Sequence, residues 1–477
     1  MNKTIDLMDG AIANFEKVVS SSERLLYDET IKIIKSLETD AQGKIKPSIN
    51  NLKLLTRIRK QISRLASNKK YLKGVNDFIE EFEKVYKSQM VYFNSLTLRV
   101  PATNKFKQMK EIAIENTIAN LTGASIQANV TNKINDILLR SIISGEKYSD
   151  LSRELHAYLA TTDKGTGALS RYANTYATTA ISQYAGENNK LMTNDLGLEW
   201  FEYVGSNIET TREFCEHLTE KRYIHKSEIK TILKGEIDGH QCEIYEKTGL
   251  PKGMIEGTNE QNFQVNCGGW NCRHQLVPVA KEAVPKNEKE ALPYRNNPDY
   301  TDVKTNKQGG MKATHVGHID HTNEKSIFMG LNPTQLEEAC QNQLFRMGHS
   351  AVFCDESIKS KEGLQNTALD LLLDGKRMDI ASVTKDVDDY RNILWGKNRQ
   401  LKRFNELDYV KVKANSVCLY FNDPQMYNQK KVIKGIERLK NTTYTINSTN
   451  ETKNVDVIIK YVYCVIRGDN KLKVFKF

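Results

Sequence analysis

Regularly spaced apolar residues over the first 200 positions limit the fold of this 477-residue chain more than any other feature. Segments such as NLKLLTRIRKQISRLA (51–66) and VNDFIEEFEKVYKSQM (75–90) repeat apolar side chains three and four positions apart, with charged side chains between them. This spacing is typical of amphipathic helices, and the region contains proline only at positions 47 and 101. The sequence therefore predicts an N-terminal region of several helices, each of about 15–25 residues.

The sequence pattern changes after LEWFEYVG (198–205) and again near residue 315. The stretch 281–314 is rich in proline, asparagine and lysine and has no periodicity, which predicts a linker. From residue 315 onward, helical patterns alternate with short apolar runs such as VCLYF and VYCVI, which indicates an α+β domain. We therefore predict a multidomain chain: a helical region over 1–100, a Cys/His-containing α+β module over 101–280, the linker over 281–314 and a basic α+β domain over 315–477.

The net charge of +10 is concentrated at the C-terminal end, because residues 391–477 contain 18 Lys/Arg and 7 Asp/Glu. Such a basic tract predicts a polyanionic partner such as nucleic acid, unless the cations only keep the surface solvated. The first residues, MNKTIDLMDGAIANFEKVV, lack the apolar core of a signal peptide, and no run of 18 apolar residues occurs. We therefore expect neither export through a signal peptide nor a membrane-spanning segment.

Four cysteines and four histidines fall within residues 215–274, most densely in NCGGWNCRHQ (266–275). Cys267, Cys272 and His274 are spaced so that one turn could supply three ligands to a structural zinc ion. Cys215 could supply the fourth ligand. The alternative is that these thiols are buried as small apolar groups in a protein made in a reducing compartment.

The segments around this cluster resemble the MuF-type minor head proteins of tailed phages, also called phage head morphogenesis proteins. WFEYVGSNIETTREFCEH (200–217) matches the Trp-containing strand and the Thr-Arg-x-x-Cys-like turn of that family, although the aspartate that usually precedes the Thr-Arg pair is absent. CGGWNCRHQLVPV (267–279) matches its closing Cys-Arg-His motif. The resemblance covers roughly residues 100–280, and the matching positions are Arg212, Cys215, Cys272, Arg273 and His274.

This resemblance implies a structural component of the phage head that is present in few copies. The expected location is the virion, after assembly in the host cytoplasm, and the expected partners are the portal and capsid proteins.

The segment DDYRNILWGKNRQLKRFN (388–405) predicts an amphipathic helix with a basic polar face. Its apolar stripe contains Lys397, which must reach the edge of the stripe or meet an anion. Cations beside an aromatic ring suit RNA, because they hold phosphates while the ring stacks on a base. A helix whose cations are only solvated is the alternative. The candidate nucleic-acid-binding residues are Arg391, Trp395, Asn398 and Arg403.

Just upstream, LLLDGKRMDIASV (371–383) predicts a β-hairpin with Asp374 and Gly375 at its turn, which places Asp379 on a strand. A carboxylate that faces a basic helix could act as general base on a ribose 2′-hydroxyl, while Lys397 stabilises negative charge on the phosphate. A metal-dependent nuclease of the Asp…Glu-x-Lys type is the less favoured alternative, because Ala381 stands where its lysine would be.

The same elements, together with HVGHIDH (315–321) and the helix that ends in LFRMGH, resemble nuclease-toxin domains of the barnase–EndoU–colicin–RelE group over about residues 320–477. The resemblance implies metal-independent RNA cleavage with no catalytic cofactor, tRNA as a candidate substrate and an immunity protein as a candidate partner. The candidate catalytic residues are Asp379, Lys397 and Arg399, with Lys402 and His349 in support.

The leading interpretation is a phage minor head protein that carries a C-terminal ribonuclease-like effector domain. Two alternatives stay open. The first is a purely structural head protein whose C-terminal domain binds nucleic acid without cleaving it, and the second is a cellular nucleic-acid-binding protein with a zinc knuckle. The four remaining cysteines lie in apolar runs and are predicted to be core thiols: Cys340, Cys354, Cys418 and Cys464.

Overall fold

A computed structural model describes residues 2–96, 103–318, 326–356, 368–408, 410–446 and 451–477. The chain divides into two compact units, Met1–Lys281 and Glu282–Phe477. Within the described residues, no helix is both long enough and apolar enough to cross a membrane.

The described residues of the N-terminal unit up to position 196 are mainly helical, as the apolar spacing predicts. Its helices are α1 (Asn2–Ile34), α2 (Ile49–Ala66), α3 (Lys69–Leu96), α4 (Thr103–Leu121), α5 (Gly123–Ile126), α6 (Asn132–Ser144), α7 (Tyr148–Leu159) and α8 (Ala168–Leu196), with a π-helical turn at Gln127–Thr131. The side chain of Ser48 caps α2 by accepting a hydrogen bond from the Asn51 N–H. Helix α8 ends at Gly197, which adopts the left-handed conformation that suits glycine.

Helix α8 lies at the centre of this helical core. Its Tyr184 ring packs 5.0 Å from Phe82 of α3, and Phe78 of the same helix packs 5.0 Å from Phe15 of α1. Small residues on α8 let neighbouring backbone come close, because a side chain at Gly186 would meet the carbonyl oxygen of Gln264 at 2.8 Å.

A small α+β module completes the N-terminal unit. Its antiparallel sheet has the order β2–β1–β5, and its elements are β1 (Trp200–Val204), α9 (Glu213–Lys221), β2 (Tyr223–His225), α10 (Ile229–Ile232), β3 (Glu236–Ile237), β4 (His240–Gln241), α11 (Phe263–Asn266) and β5 (Gln275–Val279). The central strand β1 joins the two ends of the module, since Trp200 pairs with His225 of β2 and with Val279 of β5.

The described residues of the C-terminal unit form one mixed sheet of eight strands with the order β15–β14–β11–β10–β9–β8–β7–β6, and a separate two-stranded sheet of β12 and β13. Its elements in chain order are α12 (Lys286–Arg295), β6 (Tyr300–Thr305), β7 (Met311–His315), α13 (Pro333–Arg346), β8 (Ser350–Phe353), β9 (Leu371–Leu373), β10 (Lys376–Ser382), α14 (Arg391–Asn405), β11 (Ser416–Phe421), α15 (Gln429–Lys440), β12 (Thr443–Ile446), β13 (Glu451–Asn454), β14 (Tyr461–Ile466) and β15 (Lys473–Lys476).

Residues 281–314 differ from the predicted linker, because they form α12, β6 and most of β7. Strand β7 pairs in parallel with β8, whose sequence lies about 40 residues further along. Strand pairing between distant segments does not require a regular spacing of apolar residues within either segment. The linker prediction therefore rested on the composition of this stretch alone.

Successive residues of β10 face opposite sides of the sheet. Met378 and Ile380 pack with Leu336 and Leu344 of α13, whereas Ala381 belongs to the core formed with α14 and α15. Helix α13 therefore packs on one face of the central strands β8, β9, β10 and β11, and α14 and α15 pack on the other. The four cysteines predicted to be core thiols are all buried, as expected.

Candidate functional site

Asp379 and Lys397 meet in the interior of the C-terminal unit. The Asp379 side chain is fully buried on β10, and the ammonium of Lys397 on α14 forms an ion pair with its Oδ2. Gln400, one helical turn after Lys397, donates from Nε2 to Asp379 Oδ1 at 3.1 Å and to the Ala368 carbonyl oxygen at 2.9 Å. Of the two outcomes left open for Lys397, reaching the edge of its apolar stripe or meeting an anion, the structure shows the second.

Asp370 lies opposite Asp379 on the neighbouring strand. Leu371 pairs with Met378 in the β9–β10 ladder, so one step further along the ladder brings the two aspartates face to face. Asp370 Oδ2 accepts the N–H of Ile380 at 2.9 Å. Burial, and next the charge of Asp370, raise the pKa of Asp379 well above its ordinary value, while Lys397 acts in the opposite direction.

A buried histidine joins two further carboxylates in the same unit. His318 Nδ1 lies 2.7 Å from Glu356 Oε1, and its Nε2 lies 3.4 Å from Glu337 Oε2. The imidazole stacks on the Phe353 ring at 4.1 Å. Burial alone would lower the pKa of His318, but the two carboxylates raise it to about 9.

These groups form one electrostatic network. Burial raises the pKa of Glu337 most, and the charge of Asp370 raises it further. The charge of Glu337 in turn helps to raise the pKa of Lys397. Two cations, Lys397 and His318, face four buried or nearly buried carboxylates: Glu337, Glu356, Asp370 and Asp379. Buried charge of this kind must be neutralised by protons or by a bound cation.

We call Asp370, Asp379, Lys397 and Gln400 the carboxylate–lysine site. The sequence pointed to two of these residues and missed the other two. In a hairpin with its turn at Asp374–Gly375, residue 373 pairs with 376, and each further step outward moves both partners by one residue. Continuing this register brings position 370 opposite 379, so the register could have identified Asp370. Gln400 could have been found from its position three residues after Lys397 on the same helix face.

The other predicted catalytic residues lie apart from this site. His349 Nδ1 pairs with Asp374 Oδ2 at 2.8 Å, at the start of β8 and the β9–β10 turn. Lys402 is half exposed and pairs with Asp456 at 3.3 Å. The guanidinium of Arg399 lies 6.0 Å from the centre of the Trp395 ring.

The predicted nucleic-acid-binding residues separate into two groups. Arg391 stacks on Trp395 at 4.2 Å, and Arg403 follows as an exposed residue further along α14. Asn398 is buried and serves the fold, since its Nδ2 donates to the Asp456 carbonyl oxygen and its Oδ1 accepts the N–H of Ile458, both at 2.9 Å. Of the three histidines in HVGHIDH, His321 lies outside the described residues.

Three of the four predicted zinc ligands meet in the N-terminal unit. Cys215 Sγ lies 3.9 Å from Cys272 Sγ, and Cys272 Sγ lies 3.5 Å from His274 Nδ1. The three ligand atoms all lie within 4.8 Å of one another, close enough to hold a metal ion, and all three side chains are buried. A hydrogen bond with Cys272 lowers the pKa of the Cys215 thiol to about 4, and the same hydrogen bond, together with burial, raises the pKa of the Cys272 thiol. We call these three residues the Cys/His cluster.

Backbone geometry and Arg212 hold this cluster together. Arg212, the residue before α9, donates from Nη1 to the Gly268 carbonyl oxygen at 2.7 Å and from Nη2 to the Trp270 carbonyl oxygen. Gly268 leaves room for the sulfurs, because a Cβ at this position would lie 2.2 Å from Cys272 Sγ and 2.7 Å from Cys215 Sγ. Arg212 thus has a structural role in the motif that resembles the head proteins.

Cys267, the remaining predicted ligand, is buried but is not one of the three grouped atoms. Burial raises the pKa of its thiol far above the ordinary value. Trp270 is 47% exposed and does not pack around the sulfurs.

A second group that could hold a metal lies in the same module. Glu213 Oε1 is 2.8 Å from His240 Nε2, and the Cys242 thiol lies within the same 4.8 Å range. The His240 ring stacks on His217 at 3.8 Å. Since Glu213 and His240 are partly exposed and already pair with each other, this group has a sufficient explanation without a metal. Within the described ranges, these are the two sets of three such side chains that meet the 4.8 Å criterion.

Comparisons with protein-family models, with curated proteins and with solved structures gave no match for this chain. The two family resemblances of the sequence therefore remain predictions.

Proposed function

We propose that the C-terminal unit is a nuclease that hydrolyses phosphodiester bonds at the carboxylate–lysine site. The observation that carries the proposal is the position of Lys397 beside Asp379, with Asp370 on the opposite strand. The metal-nuclease pattern was disfavoured in the sequence because Ala381 replaces its lysine. A lysine from α14 supplies the same ammonium group to the same carboxylate from a different part of the chain.

A divalent cation of the Mg²⁺ class fits this site. Its preferred ligands are oxygens, and it commonly uses only one or two carboxylates together with water and substrate phosphate. Asp370 and Asp379 would hold it. When bound, such an ion polarises the phosphate and makes its water a stronger nucleophile.

Lys397 and Gln400 have distinct tasks in this proposal. The Lys397 ammonium offsets negative charge that develops on the phosphate, at a position where water is largely excluded. Gln400 fixes the orientation of the Asp379 carboxylate through Oδ1. The basic stripe with Arg391 and Trp395 would contact the nucleic acid backbone and bases.

Metal-independent RNA cleavage, as in the barnase–EndoU–colicin–RelE group, is the competing mechanism. It would use Asp379 as general base with Lys397 beside it, and it gains support from the same ion pair. The burial of Asp379 and the engagement of both its oxygens bear on the two mechanisms alike. The metal-independent mechanism is less favoured because Arg399 and Lys402, its further candidate residues, make their contacts with Trp395 and Asp456. Chelation distinguishes the two mechanisms, since only the first depends on a divalent cation.

The test is cleavage of labelled tRNA, single-stranded RNA and double-stranded DNA by the full chain, with Mg²⁺ or with EDTA. We expect cleavage in Mg²⁺ only, and a loss of about 10²–10³-fold in Lys397→Met. Lys402→Met is the matched control, because it removes an ammonium from the same helix and should retain activity. Cleavage that persists in EDTA would favour the metal-independent mechanism, and no cleavage of any substrate would favour a purely binding role.

For the N-terminal unit we propose a structural role in a phage head, assembled in the host cytoplasm with portal and capsid proteins. The resemblance around Arg212 and Arg273 supports this proposal, and the Cys/His cluster supports a structural zinc ion that holds the closing turn of the module. Mass spectrometry of purified virions tests the location, and the protein should be found there in few copies. Its absence from virions would favour a cellular nucleic-acid-binding protein.

A further inference from the structure

The distances within the Cys/His cluster match those of a tetrahedral zinc site. With Zn–S near 2.3 Å and Zn–N near 2.0–2.1 Å, a tetrahedron has a sulfur–sulfur edge of about 3.8 Å and a sulfur–nitrogen edge of about 3.6 Å. The observed edges are 3.9 Å for Cys215–Cys272 and 3.5 Å for Cys272–His274. A sulfur–sulfur distance alone does not identify a metal site, because Cys340 Sγ and Cys418 Sγ lie 3.8 Å apart in the C-terminal unit. The cluster differs from that pair in having an imidazole nitrogen at the expected sulfur–nitrogen distance.

The imidazole of His274 is held in the form that can bind a metal through Nδ1. Its Nε2 lies 3.2 Å from Asn207 Oδ1, which can only accept a hydrogen bond. Nε2 therefore carries the proton, and Nδ1 presents its lone pair toward Cys272 Sγ. A hydrogen bond from the second ring nitrogen to an oxygen is the usual support of a metal-binding histidine.

Tyr203 closes the remaining side of the cluster. Its ring stacks on the His274 imidazole at 5.2 Å with an angle of 14° between the planes. A Cβ atom placed on Gly268 would lie within 2.7 Å of both Cys215 Sγ and Cys272 Sγ. The Tyr203 hydroxyl lies 3.0 Å from that same point. The residue is only 2% exposed, and its hydroxyl lies beside the thiols of Cys215 and Cys267. A thiol is only a weak hydrogen-bond partner, so a metal ion at this place would improve the environment of the buried hydroxyl.

Cys267 lies close to the cluster but outside it. Its sulfur is not among the three mutually close ligand atoms, and its backbone has a φ of 37° at the end of α11. The tight turn through Gly268 and Gly269 therefore brings Cys272, and not Cys267, against Cys215.

We infer that Cys215, Cys272 and His274 Nδ1 bind one zinc ion as its three strong ligands, that the Tyr203 hydroxyl occupies the fourth corner, and that Cys267 is not a ligand. The inference rests on the structural metal centre proposed above. Because these side chains are all buried, the fourth corner faces protein and not solvent, which suits a structural and not a catalytic zinc ion.

The test compares the zinc content of the full chain and its variants, with Cys267→Ser as the matched control for Cys215→Ser. We expect one zinc per chain in the wild type and in Cys267→Ser, and none in Cys215→Ser. Tyr203→Phe should release zinc to a chelator about tenfold faster, and Asn207→Ala should weaken zinc binding about 10–100-fold. Equal loss of zinc from Cys267→Ser and Cys215→Ser would overturn the three-ligand assignment, and unchanged release from Tyr203→Phe would overturn the role of Tyr203.

Cobalt(II) substitution in the wild-type chain gives a second measurement that does not depend on how a variant folds. The intensity of the thiolate-to-cobalt absorption increases with the number of bound thiolates, and we expect the value for two. A three-thiolate spectrum would overturn the inference while leaving the metal centre intact. A wild-type chain without zinc or cobalt binding would instead remove the proposed metal centre itself.

Discussion

Replacing Lys397 by methionine removes the cation beside Asp379 and leaves a carboxylate in the interior of the C-terminal unit. The Asp379 side chain is 0% exposed and that of Lys397 is 22% exposed, so water cannot replace the lost partner. Removing one member of a buried ion pair costs about 3–5 kcal/mol. The variant can avoid the buried negative charge by protonating Asp379. Keeping a carboxyl group neutral costs about 1.4 kcal/mol for each pH unit above its ordinary pKa, or about 4 kcal/mol at pH 7, so this value is the upper limit of the destabilisation.

The sign of the pH dependence follows from the pKa of Asp379. Without Lys397, burial and Asp370 raise this pKa without opposition, so the folded state binds a proton that the unfolded state releases. The variant is therefore close to the wild type below pH 4 and loses stability as the pH rises toward neutrality. Lys402→Met should cost no more than about 1 kcal/mol at any pH, since its ion pair with Asp456 is half exposed or more.

Hydrogen exchange followed by mass spectrometry measures this effect in the full chain. Peptides from β10 and α14 should lose protection in Lys397→Met at pH 7.5 and regain it near pH 5, and Asp379→Asn in the same chain should restore most of the loss. The buried ion pair would be refuted if these peptides were equally protected from hydrogen exchange in Lys397→Met and Lys402→Met. It would also be refuted if the loss of protection in Lys397→Met did not change with pH.

Three further predictions concern other parts of the chain. Asn398→Ala should destabilise the segment that leads into β14 by about 2 kcal/mol, because two partly buried backbone groups lose their partner. Hydrogen exchange at 456–459 measures this, and a residue that only binds RNA would leave exchange unchanged. The pKa of His318 is about 9 in the folded protein, against an ordinary value of 6.5. Protonation of this imidazole should therefore stabilise the fold by about 3 kcal/mol below pH 6.5, and this contribution should be lost as the pH rises from 6.5 to 9. Denaturant unfolding across this range should show the loss, and His318→Gln should abolish it; an identical profile in the variant would contradict the assignment. Gly268→Ala should release zinc, since its Cβ would lie 2.2 Å from Cys272 Sγ, and metal analysis that finds full occupancy would show that the turn can yield.

Local patterns in the sequence predicted much of the secondary structure and one half of the candidate site. The stripe argument for α14 named an anion near Lys397 as one of two possible outcomes, and the Asp-Gly turn correctly placed Asp379 on a strand. Both inferences depend on residues within about 25 positions of one another, a range in which helix and hairpin periodicity apply.

The missed features depend on contacts between distant segments. Strand β7 joins the sheet by parallel pairing with β8, and His318 meets Glu337 and Glu356 from separate parts of the chain. Asn398 lies among basic residues on the helical wheel, but the backbone at 458 that it binds is 60 residues away. Helical periodicity shows on which face of a helix a residue lies, but it does not show which segment of the chain packs against that face.

The carboxylate–lysine site is tested most directly through Asp370, because the proposed metal-dependent reaction needs it and the competing ribonuclease mechanism does not. The measurement is the rate of phosphodiester cleavage in Mg²⁺ by the full chain carrying Asp370→Asn, compared with the wild type. The account predicts cleavage by the wild type and a loss of at least about 10²-fold in the variant, with the fold intact by circular dichroism. Cleavage by Asp370→Asn at the wild-type rate would contradict it.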